Sequence, residues 1–598
     1  MHAISLLIIA SLVFALAYRY ISAFLAARVL ALDATRPTPA EVFNDEHDFA
    51  PTNRWMLLGH HFAAISGAGP LIGPVLAAQF GYAPGFIWML VGAVVAGAVH
   101  DMIVLYASTR HDGKSLVGVA RSELGPISGW LISVFMLFLL IITMAGASIA
   151  IVNALYKSPW GTFTVAATIP ISIFIGIYLR WLRPGKIGEA TAIGVSLIIA
   201  GVIGGAWIEH SFLGQWLNLS KEHLSLAIPI YGFLAAGLPV WLLLLPRDYL
   251  SSYIKVGTML LLVVGMLVAN PVIKMPAFTP FVNGGGPIIP GTVWPFLFIT
   301  ISCGALSGYH SIVCCGTTPK MVASETDIRM IGYGSMLIES IVAMTALIAV
   351  TVLPQGDFFA ISTTPDVFRN MGMHMSQLPA LSHATGEQLA GRPGGAATLA
   401  AGMANLFSGI GGRTHLMGFW YHFAIAFQAL FILTLIDAGT RAGRYLLQEI
   451  GGTFYAPMKN TTWLPGVMLT SGLVCGGWGY LLYGGSISTI WPLFGVNNQM
   501  LGAISLTICT TILIKMGKRK YSWITLSSML FLLVTSIAAG IANIRRYMHD
   551  GNTLLTVISV LLLIVGLLII VDSVRQWKSL LSTQVESDIE EEALIKVA

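Results

Sequence analysis

Apolar stretches of membrane-spanning length recur along the whole of this chain, and they constrain its fold more than any other feature. A helix needs about 20 mostly apolar residues to cross the hydrocarbon core of a bilayer. Charged residues make up only 10% of the 598 residues, whereas a soluble protein carries about 25%. This shortage excludes a soluble multi-domain protein, a disordered chain and a nucleic-acid binder, and the net charge of +5 is dispersed over many loops. The sequence predicts an all-α polytopic membrane protein.

We count fifteen predicted spans, at residues 3–20, 59–79, 85–108, 127–152, 162–179, 190–208, 227–245, 254–273, 293–315, 331–353, 415–440, 463–482, 487–514, 524–543 and 554–574. The run at 394–410 is ambiguous because it is short and rich in Gly and Ala. If it does not span and the N-terminus faces out, 24 of the 32 Lys and Arg residues lie on the inner side, in accord with the positive-inside rule. We therefore predict that 394–410 is re-entrant or interfacial, with the N-terminus outside and the C-terminus inside.

This count divides the chain into four parts. Residues 1–58 contain the first helix and a cytoplasmic loop, and residues 59–440 form the core. Residues 441–574 add peripheral membrane helices, and residues 575–598 form an acidic cytoplasmic tail. Within the core, 354–393 is a long outer loop, and loops of this length in compact proteins are often lids or binding loops.

The second span contains two prolines surrounded by glycines, which predicts a broken helix. Proline removes a backbone donor and clashes with the preceding turn, and unsatisfied backbone groups are tolerated in a membrane only beside protein or a water-filled cavity. A break exposes amides that suit a carboxylate and carbonyls that suit a cation. We predict that Ser66, Gly67, Gly69 and Pro70 bind substrate, the amides after Gly69 holding a carboxylate. A packing kink is the alternative.

A second interruption, at Gly237 and Pro239 in the seventh span, completes the predicted substrate site. Five spans separate the starts of the two interrupted helices, and an odd offset means opposite orientations in the membrane. This pattern predicts a five-plus-five inverted repeat of spans two to six and seven to eleven, with the two breaks facing each other. Arg247 and Asp248 follow at the inner end of the seventh span, where they form either an interfacial pair or an inner gate.

Ionisable groups inside spans are costly and mark functional sites by default. Glu339 lies in the middle of the tenth span and His310 in the ninth, and His61 lies near the inner end of the second. We predict that these three residues carry or gate a proton, and hydrogen-bonded structural roles are the alternative. The adjacent pair His100-Asp101 has the same two readings.

The sequence also bears on sodium binding, metal binding and enzymatic motifs. Ser302, Ser307 and Ser311 in the ninth span suit either close helix packing or a Na⁺ site completed by carbonyls of the break. Adjacent residues on a helix point about 100° apart, so neither His60-His61 nor His100-Asp101 chelates a metal from one face. The chain has no C-x-x-C pair and no Walker A or H-E-x-x-H run. We predict no metal, no cofactor and no enzymatic activity.

Long motifs identify a family resemblance. They include DATRPTPA at 33–40, GHHFAA at 59–64, LRPGKIGE at 182–189, LPVWLLLLPRDYLS at 238–251 and IWPLFGVNNQM at 490–500. With these motifs in order along nearly the whole chain, the sequence resembles the carbon starvation protein A (CstA) family. The chain is shorter than the best-known members, which have an extra N-terminal span and longer late loops.

The resemblance implies a carrier of the bacterial inner membrane that takes up peptides or pyruvate, with proton coupling, under carbon limitation. It also implies a relation to the amino acid–polyamine–organocation superfamily, whose core is a five-plus-five inverted repeat. Na⁺ is the alternative coupling ion, and membrane lipids are the only other expected partner. The alternative class is a membrane sensor or redox subunit, although the tail after residue 574 is short for a signalling domain and haem ligands are lacking.

Overall fold

The structure, a computed structural model, is built from helices. It describes residues 1–45, 49–184, 186–238, 242–410, 414–460 and 463–597, apart from the side chains of residues 245, 248, 249, 414 and 583–597. Within these ranges there is no β-strand, and two isolated bridges are the only strand-like pairings. Eleven helices in the described residues are long and apolar enough to cross a membrane, and a bent helix pair makes up to twelve.

The main helices follow in chain order. The first nine are α1 (Ala3–Leu30), α2 (Arg54–Ile65), α3 (Gly69–Ala77), α4 (Tyr82–Arg110), α5 (Pro126–Leu155), α6 (Pro159–Leu182), α7 (Ile187–Glu209), α8 (Lys221–Gly237) and α9 (Leu244–Ala269). The next nine are α10 (Val293–Thr300), α11 (His310–Gly316), α12 (Glu325–Thr351), α13 (Ala396–Gly409), α14 (Met417–Gly451), α15 (Leu464–Gly484), α16 (Ile487–Lys515), α17 (Arg519–His549) and α18 (Thr553–Ser582).

Burial separates central helices from lipid-facing ones. Every residue in the most apolar window of α16 is buried, whereas only 22% of the corresponding window of α7 is. Large apolar side chains such as Leu12 of α1 and Val268 of α9 are exposed, as expected where a helix faces hydrocarbon. The burial of α16 contrasts with the exposure of α7, and the predicted division of the chain into a core and peripheral helices stays a prediction.

The predicted break in the second span is present between α2 and α3, which bend by 50°. The first helix ends at Ile65, Ser66 leaves the helical conformation, and Pro70 occupies the first turn of α3, where its missing N–H costs nothing. Gly73 lies so close to α10 that a Cβ atom would be 2.5 Å from the carbonyl oxygen of Thr300. Glycine is needed here because two backbones meet.

A second break separates α10 from α11. Thr300 ends α10, a short helical turn follows at Ser302–Ala305, and Leu306 is extended before His310 begins α11. The interval contains Gly304 and Gly308. The sequence predicts a continuous ninth span at 293–315, so this break is a structural finding.

The region of the predicted seventh span differs in its boundaries from the expectation. The helix ends at Gly237, and α9 begins at Leu244, so Arg247 lies in the first turn of α9 rather than at the end of α8. Pro246 is compatible with this position because a first-turn residue has no helical partner for its missing N–H. Pro239 lies outside the described residues, as does the side chain of Asp248.

The ambiguous run at 394–410 forms α13, a buried helix of 14 residues. This is shorter than the about 20 residues that a span requires. The preceding segment, 354–393, contains three short helices at Gln355–Ser362, Pro365–Asn370 and Leu378–Thr385.

Candidate functional site

Four ionisable side chains form a continuous buried chain across three helices. His100 Nδ1 lies 2.7 Å from Asp101 Oδ1, and His310 Nδ1 lies 2.8 Å from Asp101 Oδ2. The other ring nitrogen of His310, Nε2, lies 3.0 Å from Glu339 Oε2. All four side chains are fully buried. The order His100, Asp101, His310, Glu339 links α4, α11 and α12 through two imidazoles and two carboxyl groups.

This arrangement is chemically suited to hold and pass a proton. An imidazole has two distinct nitrogens, so it takes a proton at one and releases it at the other. Each neighbour of His310 is a carboxyl group, which offers an acceptor on both sides. Burying an ionisable group in a membrane is costly, and this cost is reduced where acids and imidazoles lie next to each other as polar partners.

His61 lies beside this chain rather than within it. Its Nδ1 is 2.7 Å from Thr318 Oγ1, and its Nε2 is 3.9 Å from Cys314 Sγ. It is fully buried and close enough to Asp101 and His310 for their charges to interact. The structure therefore brings all three predicted proton-coupling residues into one region.

A cavity of about 380 Å³ lies next to this group of buried ionisable side chains. This volume lies within the about 300–1,000 Å³ that small-molecule sites occupy. The wall is formed by α2, α5, α9, α11 and α14, so five separate helices meet around it. Ser66 and Gly67, at the break after α2, are part of the lining. Two predicted substrate-binding residues thus line a space large enough for a small molecule.

Lys255 is the main residue of this cavity that the sequence analysis missed. Its side chain, 2% exposed, donates through Nζ to the carbonyl oxygens of Ala63 (3.2 Å) and Ser66 (3.4 Å). The ammonium also lies 4.3 Å from the ring centroid of Phe431. The break carbonyls, which the sequence analysis assigns to a cation, thus contact a cation of the protein itself. In the sequence, Lys255 is a single Lys at the start of an apolar run. A Lys in such a position usually extends its ammonium to the membrane interface, so the sequence did not indicate a buried site.

The other predicted substrate residues lie elsewhere. Gly69 packs against Cys303 of the second break, where a Cβ atom would meet Sγ at 2.2 Å. The amides of Leu71 and Ile72 both donate to the carbonyl of Ala68, and Pro70 has no N–H. Few amides after Gly69 are therefore directed toward a ligand, and the predicted carboxylate role of this segment stays a prediction.

Gly237 does not line the cavity around Ser66. That the helix break at Gly237 faces the break at Gly69 stays a prediction. The last carbonyls of α8 are bound by arginines of α14. Arg441 donates to Leu238 O at 2.7 Å and to Ala235 O at 3.1 Å, and Arg444 donates to Ala236 O at 3.2 Å. These contacts cap the helix C-terminus.

The second break is held by a motif that the sequence analysis uses only for the family resemblance. Asn498 of α16 accepts the amide of Tyr309 at 2.8 Å and donates to Ser302 Oγ at 3.0 Å. Trp491 donates to Thr300 O at 3.3 Å. These side chains satisfy backbone groups that the interrupted helix leaves open. Polar residues in the middle of a buried span were the signal for this role.

The three serines considered for Na⁺ are hydrogen-bonded within the protein. Ser302 accepts from Asn498, Ser307 donates to Asn498 Oδ1 at 3.2 Å, and Ser311 donates to Gly308 O. Among the residues that the structure describes, no three His, Cys, Asp or Glu side chains are grouped to hold a metal ion.

Arg247 is buried rather than exposed at an interface, which differs from the first of the two roles that the sequence suggests for it. Its Nη1 donates to Asp437 Oδ2 at 3.2 Å and to the hydroxyl of Tyr231, which itself donates to Asp437 Oδ2 at 2.9 Å. Its Nη2 lies 3.4 Å from Thr168 Oγ1. Burial and the partner carboxylate explain the difference, because an isolated Arg would extend to the interface. The gate reading stays a prediction.

A separate polar cluster joins the loop at 354–393 to the helices. Glu387 accepts from Ser158 Oγ and from Arg392 Nη2, the latter at 2.6 Å, and Arg392 Nη1 donates to Ala154 O at 2.6 Å. Burial raises the pKa of Glu387, and the nearby Arg392 opposes this. His422 Nε2 lies 3.7 Å from Glu387 Oε1. The loop is thereby tied to α5 and α14.

Comparison with known proteins gives consistent matches along the chain. The family described as "Carbon starvation protein CstA" matches residues 2–539. The peptide transporter CstA of Bacillus subtilis (strain 168) is 48% identical over 583 residues, covering 96% of this chain and 97% of that protein. The pyruvate/proton symporter BtsT of Escherichia coli (strain K12) is 44% identical over 574 residues, covering 88% and 80%. A crystal structure of a manganese transporter mutant from Eremococcus coleocola aligns over 92% of this chain and 99% of that chain at 12% identity. Its TM-score of 0.40 is too low to establish a shared fold.

Proposed function

Because the chain belongs to the carbon starvation protein CstA family, we propose that it is a proton-coupled carrier that takes up pyruvate or peptides under carbon limitation. The observation that carries the proposal is the buried chain from His100 to Glu339 beside the cavity at Ser66. Two relatives are named as a peptide transporter and a pyruvate/proton symporter, which supports the same substrates and ion here. Pyruvate and peptides share a carboxylate, so the cavity does not separate them.

The proposed membrane is the bacterial inner membrane, with the N-terminus outside and the C-terminus inside. We also propose fifteen spans. Twelve correspond to the helices that are long and apolar enough, counting α2 and α3 as one. The other three are α8, the interrupted pair α10 and α11, and α15, which are short, broken or rich in glycine. The five-plus-five repeat remains part of this proposal.

The proposed coupling ion is H⁺ rather than Na⁺. Lys255 already contacts the carbonyls at the break after α2, and the three serines of the second break have partners in the protein. The buried ionisable side chains from His100 to Glu339 offer a place for a proton instead. Membrane lipids surround the exposed apolar faces.

We infer no enzymatic activity, and we do not favour the sensor or redox alternative. The relatives carry the names of transporters. A redox subunit would show haem absorbance after purification, and the expected spectrum has none.

The test is uptake of labelled pyruvate into proteoliposomes with and without an inward proton gradient, with dipeptides as competitors. Gradient-driven uptake that dipeptides do not inhibit establishes a monocarboxylate symporter. Inhibition by dipeptides indicates a shared site or a peptide site. An absence of uptake of either substrate by folded protein, under proton and sodium gradients, contradicts the proposal.

A further inference from the structure

We propose that a second cavity, between four helices and the predicted outer loop, binds short peptides. The side chains of Asn153 and Ser225 recognise the peptide backbone, and Lys221 and Glu222 recognise its two charged ends. This inference goes beyond the proposed function, because it concerns a site other than the cavity around Ser66 and a binding step that needs no gradient.

The second cavity has a volume of about 410 Å³. Its wall is formed by the end of α5, the start of α8, the end of α15, the start of α16 and parts of the predicted outer loop. Leu140 of α5 lines the first cavity and Asn153 lines the second, about 20 Å further along the helix at a rise of about 1.5 Å per residue. The two cavities are therefore separate places. The volume suits a molecule larger than pyruvate, because small-molecule sites of about 300–1,000 Å³ enclose most of their ligand's surface.

Two buried polar side chains in this wall have no partner among the residues that the structure describes. They are the carboxamide of Asn153, 8% exposed, and the hydroxyl of Ser225, 7% exposed. A carboxamide presents a donor and an acceptor side by side, which is the complement of the C=O and N–H of a peptide group. A peptide satisfies both, whereas the pyruvate anion has acceptors only and would leave the Asn153 oxygen unpaired in a buried position.

The charged groups at the rim favour a zwitterion in the same way. Among the described lining residues, Lys221 is the one cation and Glu222 the one anion. Lys221 Nζ lies 5.2 Å from the ring centroid of Tyr156, a contact that does not use its N–H groups for an oxygen acceptor. The Glu222 carboxylate accepts from Ser220 and has further lone pairs for an ammonium. A peptide carries both an ammonium and a carboxylate, whereas an anion alone meets attraction and repulsion together.

The test measures binding of the labelled dipeptide dialanine to the purified full-length protein in detergent, without a gradient. Asn153→Leu, a change to a side chain of similar size, should weaken binding by about tenfold or more, because the peptide group loses two buried hydrogen bonds. Ser225→Ala should weaken it by about threefold. Asn370→Leu makes the first change at an exposed position of the predicted outer loop that does not line the cavity, and it should alter binding by less than about twofold.

The rim charges are tested by pairing variants with modified peptides. Lys221→Gln and Glu222→Gln should each weaken dialanine binding by about threefold, because partly exposed charges contribute little. N-acetyl-dialanine lacks the ammonium, so its binding should not respond to Glu222→Gln, and dialanine amide lacks the carboxylate, so its binding should not respond to Lys221→Gln. Lys157→Gln is the matched control, because Lys157 Nζ lies 5.3 Å from the same Tyr156 ring but does not line the cavity.

Four results would overturn the inference. They are no measurable dialanine binding, wild-type affinity in Asn153→Leu, an equal response of dialanine and N-acetyl-dialanine to Glu222→Gln, and displacement of all bound dialanine by pyruvate. The first and last need no variant, and Glu222 is exposed, so the inference is decided even if Asn153→Leu does not fold. Failure of the proposed function looks different, because uptake of pyruvate and peptides would then be absent while dialanine still binds.

Discussion

At the scale of single residues, the notable feature is that buried charges occur in connected groups. His310 lies between Asp101 and Glu339, and Arg247 contacts Asp437. A lone charge in a membrane is costly, and an adjacent opposite charge with hydrogen bonds offsets much of that cost. The two groups differ in composition, because the first combines imidazoles with carboxyl groups and the second pairs a carboxyl group with an arginine.

Asp101→Asn should reduce proton-driven uptake by about tenfold or more. The carboxylate accepts from both His100 and His310, whereas an amide has only one acceptor oxygen, and a charge-assisted hydrogen bond is worth about 1.5–3 kcal/mol. The measurement is pyruvate uptake into proteoliposomes under a fixed gradient. Asp366→Asn is the control because that side chain is 86% exposed. Unchanged uptake in Asp101→Asn would show that the buried side chains from His100 to Glu339 do not carry the proton.

Arg247→Ala should destabilise the protein by about 3–5 kcal/mol, because Asp437 would keep its buried charge without this partner. Removing both groups in Arg247→Ala/Asp437→Ala should cost less than the sum of the two single changes. Unfolding of the purified variants in detergent measures the difference. Additive effects would mean that the pair is not coupled.

At the scale of elements, two interrupted helices contact each other at their breaks. Gly69, at the start of α3, meets Cys303 of the second break, and Gly73 meets Thr300. Asn498 and Trp491 of α16 then bind the polar backbone of the second break. A continuous helix has no need of such partners, so these contacts are what allow an interrupted helix to exist inside a membrane protein.

Gly69→Ala should strongly reduce the yield of folded protein, because the new Cβ atom would lie 2.2 Å from Cys303 Sγ and 2.5 Å from its Cβ. Removing that side chain in Gly69→Ala/Cys303→Gly should restore part of the yield. Gly59→Ala, in α2, is the matched control because nothing lies within 4 Å of its Cβ position. Size-exclusion profiles after purification provide the readout. Normal folding of Gly69→Ala alone would contradict the contact between the breaks.

At the scale of the whole molecule, segments distant in sequence are joined at the helix ends. His111, just after α4, donates toward Ala107 O at 2.6 Å and Glu123 Oε1 at 2.8 Å, and Lys515 Nζ at the end of α16 lies 3.0 Å from Glu123 Oε2. The hydrogen bond to Glu123 raises the pKa of His111 above its ordinary value of 6.5. Burial tends to raise the pKa of Glu123, but the bonds from His111 and Lys515 outweigh this and lower it.

This cluster predicts a pH dependence of stability. The contribution of His111 is complete below its ordinary pKa and is lost as the pH rises through the raised value. The contribution of Glu123 is present above its ordinary pKa and is lost as the pH falls through the lowered value. The loss of thermal stability in His111→Gln should therefore be larger at about pH 6 than at about pH 9. Unfolding temperatures in detergent measure it, and a difference that grows with pH would contradict the assignment.

Some features were determined by the sequence alone. Apolar runs and the scarcity of charge predict a polytopic helical protein, because only helices satisfy their own backbone in hydrocarbon and helical length is set by bilayer thickness. The prolines and glycines at 67–74 predict the first break because a proline inside a helix lacks the backbone donor and clashes with the preceding turn. Glu339 and His310 were identifiable because ionisable groups in spans are costly. These inferences depend on local chemistry, which a sequence displays directly.

Only the tertiary structure decided which distant residues meet. It placed Lys255 at the first break, Asp101 between two histidines, and Asn498 at a second break, whose own residues 301–309 contain no proline. It also moved Arg247 from the expected interface into a buried pair with Asp437. The physical reason is that burial and partnership depend on how helices pack, and a lone polar residue in an apolar run is compatible with an interface, a core or a site until its neighbours are known.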